Sequence, residues 1–330
     1  MKVLVTGGAG YIGSTTAAEL LRRGHEVVVL DSLVRGHRAA VPTGAAFVHG
    51  DIADRSVLVP ILAEARFDAL VHFAAFAYVG ESMSEPAMYL DNNVARSLVL
   101  FREALGHGVR RIVFSSSCTV YGLPARLPLD ESHPKAALSP YGASKIMCEQ
   151  ALRWFADATP DLSAVALRYF NAAGATEERG EDHDPETHLI PLAIDAAMGH
   201  SEPLVIFGDD YDTKDGTCLR DYVHILDLAE AHALSVEAGD HEGFHAYNVG
   251  AGRAYSVREV LAEIEAVSGR PVPFKVGPRR EGDAPALFAG TELIRDRLGW
   301  RAKFSSLARI VSDAVRWHPQ SSTASVDRGE

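Results

Sequence analysis

Residues 1–31 constrain this chain more than any other stretch. Lys2-Val3-Leu4-Val5-Thr6 leads into Gly7-Gly8-Ala9-Gly10-Tyr11-Ile12-Gly13, then a helical run closing at Gly24, then Val27-Val28-Val29-Leu30-Asp31. A short continuous apolar run fits a strand buried on both faces of a parallel sheet. Gly7, Gly10 and Gly13 supply what the next turn demands: a tight left-handed bend, backbone that a ligand can approach, and close packing of helix on strand. Ser14-Thr15-Thr16 lies at the start of that helix, whose unpaired N–H groups and dipole favour an anion. Gly24 stands where a C-cap glycine is expected.

Asp31 turns this frame into a ligand prediction. A carboxylate ending the second strand can accept from both ribose hydroxyls of an adenosine and repels a 2′-phosphate, so the pattern predicts NAD over NADP. Arg35 and Arg38, which follow it, are the features on the NADP side. The net charge of −12, with the basic residues dispersed, argues against nucleic acid as a partner, so a negatively charged ligand must be held by local donors. The longest apolar runs are strand-sized, which predicts no membrane span. Met1 leads straight into a strand, which predicts no leader. Cys118, Cys148 and Cys218 lack metal spacing and cannot all pair, which predicts a reducing cytoplasm.

Further strands are predicted at Phe47–Ile52, with Asp51 and Ile52 beside the adenine, at Ala69–Ala75, at Arg111–Ser117 and at Ala164–Tyr169, which leads into Phe170-Asn171. The small Ala74 and Ala75 let a loop close over the cofactor phosphates, and one helix is expected to run from Asn92 to Leu105. Strands alternating with helices predict an α/β, Rossmann-type, doubly wound parallel sheet, in which ligands bind beyond the carboxyl ends of the strands. Asp31, Phe73 and Ser117 all lie at such ends. Past residue 175 the alternation fails. Residues 177–188 are polar and irregular, followed by a helix at Pro191–Met198, a strand at Leu204–Phe207, a helix at Asp227–Leu234, a strand at Tyr247–Val249 and an amphipathic helix at Val257–Val267. The reading is a nucleotide-binding domain over 1–175, a smaller C-terminal substrate-binding lobe over 176–320, and a flexible tail over 321–330. Residues 221–234 and 247–249 are candidates to return to the main sheet.

Pro140-Tyr141-Gly142-Ala143-Ser144-Lys145 carries the chemistry. Tyr141 and Lys145, four apart, share a helix face. A tyrosine is a poor base at neutral pH; a nearby ammonium, helped by a positive nicotinamide ring, favours its phenolate. Ser117, ending the fifth strand, is placed to hydrogen-bond a substrate oxygen and align its proton with Tyr141. Cys118 has no histidine close in sequence and reads as packing volume, not a nucleophile. The scattered histidines, His224 and His232 among them, show no ligand spacing, so no metal is expected.

On these residues the chain resembles the extended short-chain dehydrogenase/reductases, and within them the UDP-galactose 4-epimerases. The resemblance runs from Met1 to about Trp300. It rests on the glycine loop, His72-Phe73-Ala74-Ala75, Val79-Gly80-Glu81-Ser82, Ser115–Gly122, Ser139–Gly142 and Arg168–Asn171, together with Asp215-Gly216-Thr217, Arg220–His224 and Arg279-Arg280-Glu281-Gly282-Asp283. It implies redox-neutral 4-epimerisation of a UDP-sugar on tightly held NAD. Tyr141 takes the proton of O4 as C4 gives hydride to the nicotinamide, the 4-keto sugar turns over, and hydride returns to its other face. It implies cofactor contacts at Gly7, Gly10, Tyr11, Ile12, Gly13, Asp31, Asp51, Ile52, Phe73, Ala74, Ala75, Asn92, Ser115, Tyr141, Lys145 and Tyr169. Substrate contacts are implied at Ser117, Thr119, Tyr141, Phe170, Asn171, His188, Leu189, Phe207, Arg220, Arg280, Asp283 and Leu287. A homodimer through the helices at 92–105 and 141–155 is implied as well.

Departures from that pattern bear on the substrate. Many members carry a lysine within the segment matching Phe76-Ala77-Tyr78, and this chain has none. His188 stands where an asparagine commonly touches the diphosphate. Leu287 replaces a bulky tyrosine that restricts some members to plain hexoses, which leaves room for an N-acetyl group. Residues 77–82 also resemble epimerases of UDP-xylose and UDP-arabinose. A nucleotide-sugar 4,6-dehydratase is disfavoured because Cys118-Thr119-Val120 after Ser117 offers no carboxylate. A non-catalytic NAD sensor is disfavoured because Ser117, Tyr141 and Lys145 are all kept.

Overall fold

The apolar run at the N-terminus forms β1 (Lys2–Thr6), with Val3 and Val5 packed into one hydrophobic cluster and Leu4 into another on the opposite face. Two-residue alternation with both faces buried is why the run has no polar stripe. This computed structural model describes residues 1–238, 242–280 and 282–324. Glu281 of the arginine-rich motif and residues 325–330 of the expected tail lie outside the described residues.

The next strands are β2 (Glu26–Asp31), β3 (Ala46–His49), β4 (Ala69–His72), β5 (Arg111–Ser117) and β6 (Ser163–Tyr169). After them come β7 (Asn171–Ala173), β8 (Leu204–Phe207), β9 (Leu219–His224), β10 (Gly243–Val249), β11 (Ala254–Ser256), β12 (Phe274–Gly277) and β13 (Ala286–Leu287). The helices are α1 (Tyr11–Arg22), α2 (Arg55–Ala65), α3 (Val79–Ser84), α4 (Pro86–Leu90), α5 (Arg96–Gly106) and α6 (Pro140–Ala158). They continue with α7 (Leu189–Met198), α8 (Ile225–Glu237), α9 (Val257–Ser268), α10 (Glu292–Leu298) and α11 (Leu307–Ala324).

A seven-stranded parallel sheet runs β10-β6-β5-β4-β1-β2-β3. The strand order reverses between β1 and β4, which is where an open α/β sheet opens a crevice at its carboxyl edge. Of the two segments considered for return to this sheet, β10 joins it beside β6. β9 does not: it sits in a smaller sheet with β11, β13 and β7, while β8 pairs with β12. The smaller lobe has its own core around Ile190, Ile194, Tyr222, Val260, Ile264 and Ile310.

The structure shortens two expected strands. β3 ends at His49, because the Asp51 carboxylate accepts from Ala53 N at 2.8 Å and turns the chain. β4 ends at His72, because the Phe73 and Ala74 amides both donate to the Thr6 carbonyl, at 2.9 and 3.2 Å. The helix expected over 92–105 is interrupted by a π-helical turn at Asp91–Ala95 between α4 and α5. There the Asn93 side chain accepts from Phe76 N and donates to Phe76 O, both at 2.9 Å, and so ties the turn to the loop after β4. The stretch from Ser321 continues α11 as far as Ala324.

Candidate active site

The loop after β1 is a cradle that tolerates no side chain at Gly7 or Gly13. Gly7 has φ +73°, and a Cβ there would come within 2.5 Å of Ala74 N. A Cβ on Gly13 would overlap the Gly7 carbonyl oxygen. Asp31 Oδ2 accepts from Ala9 N at 2.9 Å and Oδ1 from Leu33 N at 2.8 Å, so the carboxylate is fixed beside the cradle. Backbone brought this close, with an anchored acid at the end of β2, fits the phosphates and ribose of a dinucleotide. Both arginines after Asp31 are engaged elsewhere: Arg38 stacks 4.4 Å from the Phe47 ring centre, and Arg35 donates to Glu81 and to the Asp184 carbonyl.

A cavity of about 1430 Å³ extends from this cradle across the carboxyl ends of β1, β2, β4 and β5 to the smaller lobe. Its wall contains every residue expected to touch cofactor, from Gly7 to Tyr169, and every residue expected to touch substrate except Leu287. Leu287 packs instead against the buried cluster of Val120, Tyr121, Leu129, Phe170 and Ala289, where its apolar side chain gains burial behind the wall.

The groups expected to react sit on β5 and α6. Ser139 caps α6, accepting from Gly142 N at 3.2 Å, and Pro140 follows at the first helical position. This sets Tyr141 and Lys145 on the face toward β5. Lys145 Nζ donates to the Ser115 carbonyl at 2.8 Å and lies 5.6 Å from the Tyr141 ring centre. Tyr169 Oη donates to Ser115 Oγ. Ser117 Oγ accepts from Thr119 N at 3.2 Å and from Thr119 Oγ1 at 3.0 Å, which leaves its own proton to donate.

The electrostatics differ in one respect from expectation. Burial pushes Tyr141 up to about 12, with the Ser117 hydroxyl pulling the other way. Burial pushes Lys145 down to about 8. Lys145 was expected to lower Tyr141; in the protein its ammonium is aimed at the Ser115 carbonyl, and desolvation of the phenol dominates. Burial also pushes the Cys118 thiol up to about 12, so it stays protonated at neutral pH and is no nucleophile.

At the far end of the cavity, the Arg280 guanidinium lies 4.1 Å from the ring centre of the half-exposed Phe207. Arg220 pairs with Asp283 and donates through Nη1 to the Leu219 and Ala284 carbonyls at 2.8 and 2.9 Å. Its fork is therefore held in place with part of its donor set still available.

Several wall residues carried no sequence signal. Glu181 and His183 come from the irregular 177–188 stretch, and Trp317 comes from α11. Glu181, His183 and His188 bring ligand-type atoms within 4.8 Å of one another, as do Asp195, His200 and His318, groupings that spacing along the chain does not announce. His188 Nδ1 donates to Glu186 at 2.7 Å. Burial opposes the charge on His188, but Glu186 and Glu181 outweigh it and push the imidazole up to about 9. The segment lacking a lysine has a cation supplied from β2's loop: the Arg35 guanidinium lies 4.9 Å from the Tyr78 ring centre and 5.7 Å from that of Phe76. His224 and His232 are buried, bonded to Asp313 and to the Leu228 carbonyl respectively.

Comparison with known proteins agrees with this geometry. Residues 3–250 match the NAD dependent epimerase/dehydratase family. A UDP-glucose 4-epimerase of Rhizobium meliloti is 48% identical over 322 residues, 96% of each chain. The crystal structure of UDP-glucose 4-epimerase from Brucella ovis in complex with NAD is 46% identical, with a TM-score of 0.92 over 95% of this chain and 97% of that one. A UDP-glucose-4-epimerase from Stenotrophomonas maltophila, with bound NAD and formylated UDP-arabinopyranose, is 39% identical, with a TM-score of 0.94 over 98% and 99%. Identity of this order from end to end, on a fold that superposes throughout, means that the chain belongs to the NAD dependent epimerase/dehydratase family, among its UDP-glucose 4-epimerases.

Proposed function

We propose that this chain interconverts UDP-galactose and UDP-glucose by epimerisation at C4, with NAD retained in the glycine cradle. The observation that carries the reading is the meeting of Ser117, Tyr141 and Lys145 in one cavity with the cradle at one end and Arg220, Arg280 and Phe207 at the other. NAD, when bound, supplies a two-electron acceptor and donor, so the sugar can be oxidised and reduced with nothing consumed. Gly7, Gly13, Asp31 and Lys145 are the residues that would hold it.

Tyr141 exchanges the proton of O4. It can accept that proton only as the phenolate, having first given up its own; burial disfavours that form, so a cation close to the ring is needed, and Lys145 lies 5.6 Å from the ring centre. Ser117 donates to the same sugar oxygen and fixes its orientation. Arg220 and Arg280 bind the diphosphate, Phe207 packs on the uracil and Asp283 accepts from its ribose. Firm anchoring of the nucleotide leaves the hexose free to present either face.

Residues 1–175 supply the cofactor half and 176–320 most of the substrate half, with β10 returning to the main sheet. A homodimer is supported by Met147 and Trp154 of α6, which are 47% and 66% exposed, and by Leu98 of α5; a monomer by light scattering would contradict it. No helix among the described residues is long and apolar enough to cross a membrane. The three cysteines are unpaired, which supports a reducing cytoplasm. The test is proton NMR of the protein with NAD and UDP-galactose. Growth of UDP-glucose signals is expected, and no conversion would overturn the assignment. N-acetylhexosamine and pentose analogues in parallel measure breadth.

A further inference from the structure

Two stretches far apart in sequence, the loop after β2 and residues 174–188, meet along the cavity. Arg35 is where they join. Its Nη1 donates to the Asp184 carbonyl at 2.9 Å and its Nη2 to Glu81 Oε1 at 2.8 Å, while the guanidinium faces the Tyr78 ring at 4.9 Å. Glu81 and Tyr78 are themselves fixed, because Tyr89 Oη donates to Glu81 Oε2 at 2.7 Å and accepts from Tyr78 N at 3.0 Å. Three more contacts continue the seam. His37 Nε2 donates to the Asp182 carbonyl at 2.9 Å, Arg179 Nε to the Ala40 carbonyl at 3.1 Å, and Tyr11 Oη to the Gly174 carbonyl at 2.5 Å.

We infer that Arg35 is a positioning residue that clasps three walls of the cavity together and so keeps NAD in place between turnovers. The inference rests on the NAD reading above. The walls it joins are the loop beyond the ribose-binding Asp31, the start of α3, and the 174–188 stretch that also carries Glu181 and His183. A guanidinium suits the task because its planar fork donates in two directions while its face stacks on an aromatic ring; an ammonium has no planar face to stack. Arg35 has no hydrogen bond to Ser117, Tyr141 or Lys145, so its loss acts on retention of the dinucleotide ahead of proton transfer.

The test loads wild type, R35A, R35K and E81Q with NAD and passes each through gel filtration. NAD left on the protein is measured after denaturation, and turnover of UDP-galactose is measured with and without added NAD. R35A and E81Q are expected to release NAD about 10- to 100-fold faster, the scale of one lost charge-assisted contact. Excess NAD should restore their turnover, and R35K should fall between them and wild type. E81Q is nearly isosteric and carries the comparison if R35A does not fold. R35A and E81Q retaining NAD as wild type does would overturn the clasp alone. A wild type that takes up no NAD would overturn the cofactor reading and the clasp with it.

Discussion

Replacing Glu149 by glutamine should destabilise the fold and move the alkaline limb of activity, because this carboxylate is fully buried one helical turn beyond Lys145. Its Oε1 accepts from Ser116 Oγ at 2.6 Å and from Arg168 Nε at 2.9 Å, and its Oε2 accepts from Arg168 Nη2 at 2.6 Å. Ser116 and Arg168 face each other across β5 and β6, so the pair joins helix to sheet directly behind Ser115 and Ser117. Arg168 Nη1 donates to Tyr121 Oη at 3.0 Å, and Tyr121 donates to Asn248 Oδ1 at 2.6 Å, which extends the network to β10. E149Q keeps the shape but leaves a buried guanidinium without its counter-charge, a change worth about 3–5 kcal/mol. At about 2 °C per kcal/mol for a large domain, the midpoint should fall by about 6–10 °C in calorimetry.

Two further readouts separate electrostatics from packing. Burial opposes the charged form of Glu149, yet Arg168 and Ser116 hold its carboxyl below the usual range. The pair therefore stabilises the fold fully above the unfolded carboxylate value of about 4.3 and loses that contribution as pH falls through the folded value; E149Q should flatten this acid dependence. Glu149 also favours the Lys145 ammonium. Without it the lysine drops further below about 8, and the alkaline limb of kcat should move to lower pH. A midpoint within about 1 °C of wild type, under two-state conditions, would refute the magnitude argument, since an uncompensated buried charge costs more than that. An unmoved alkaline limb would refute the coupling to Lys145.

Other changes test the site itself. Y141F removes the oxygen proposed to exchange the O4 proton and should lower kcat by about 10²–10⁴-fold with NAD content unchanged, by NMR turnover and cofactor assay. G7A places a methyl group 2.5 Å from Ala74 N at a positive φ and should lower both NAD content and thermal midpoint. R280A removes a guanidinium fork and its stacking on Phe207, so KM for the UDP-sugar should rise about tenfold or more with a smaller change in kcat. E186Q removes the carboxylate 2.7 Å from His188 and should bring its imidazole down from about 9, read by NMR titration. A raised folded value means the charged form contributes below about 6.5 and is lost through about 9, so any binding it supports should weaken at lower pH in E186Q.

What could be read from the sequence was what short-range geometry dictates. The alternation in β1, the glycine turn and Asp31 at the end of β2 depend on neighbours in the chain, as does the four-residue spacing of Tyr141 and Lys145. The strand ends did not obey the same rule. Residues after His72 remain apolar, yet the Phe73 and Ala74 amides turn back to the Thr6 carbonyl, a contact made by tertiary closeness alone. The π-helical turn at Asp91–Ala95 is likewise tied by the Asn93 side chain to Phe76, seventeen positions away. No periodicity exists in 177–188 to announce that Glu181, His183 and His188 converge or that Asp184 meets Arg35.

The same division explains the electrostatic surprise at Tyr141. Spacing placed an ammonium near the phenol, and the structure agrees; spacing could not give the depth of burial, which pushes the phenol up against the pull of the Ser117 hydroxyl. Burial pushes the phenol up to about 12 and its neighbouring lysine down to about 8, so the proton exchange proposed at O4 needs positive charge close to the ring.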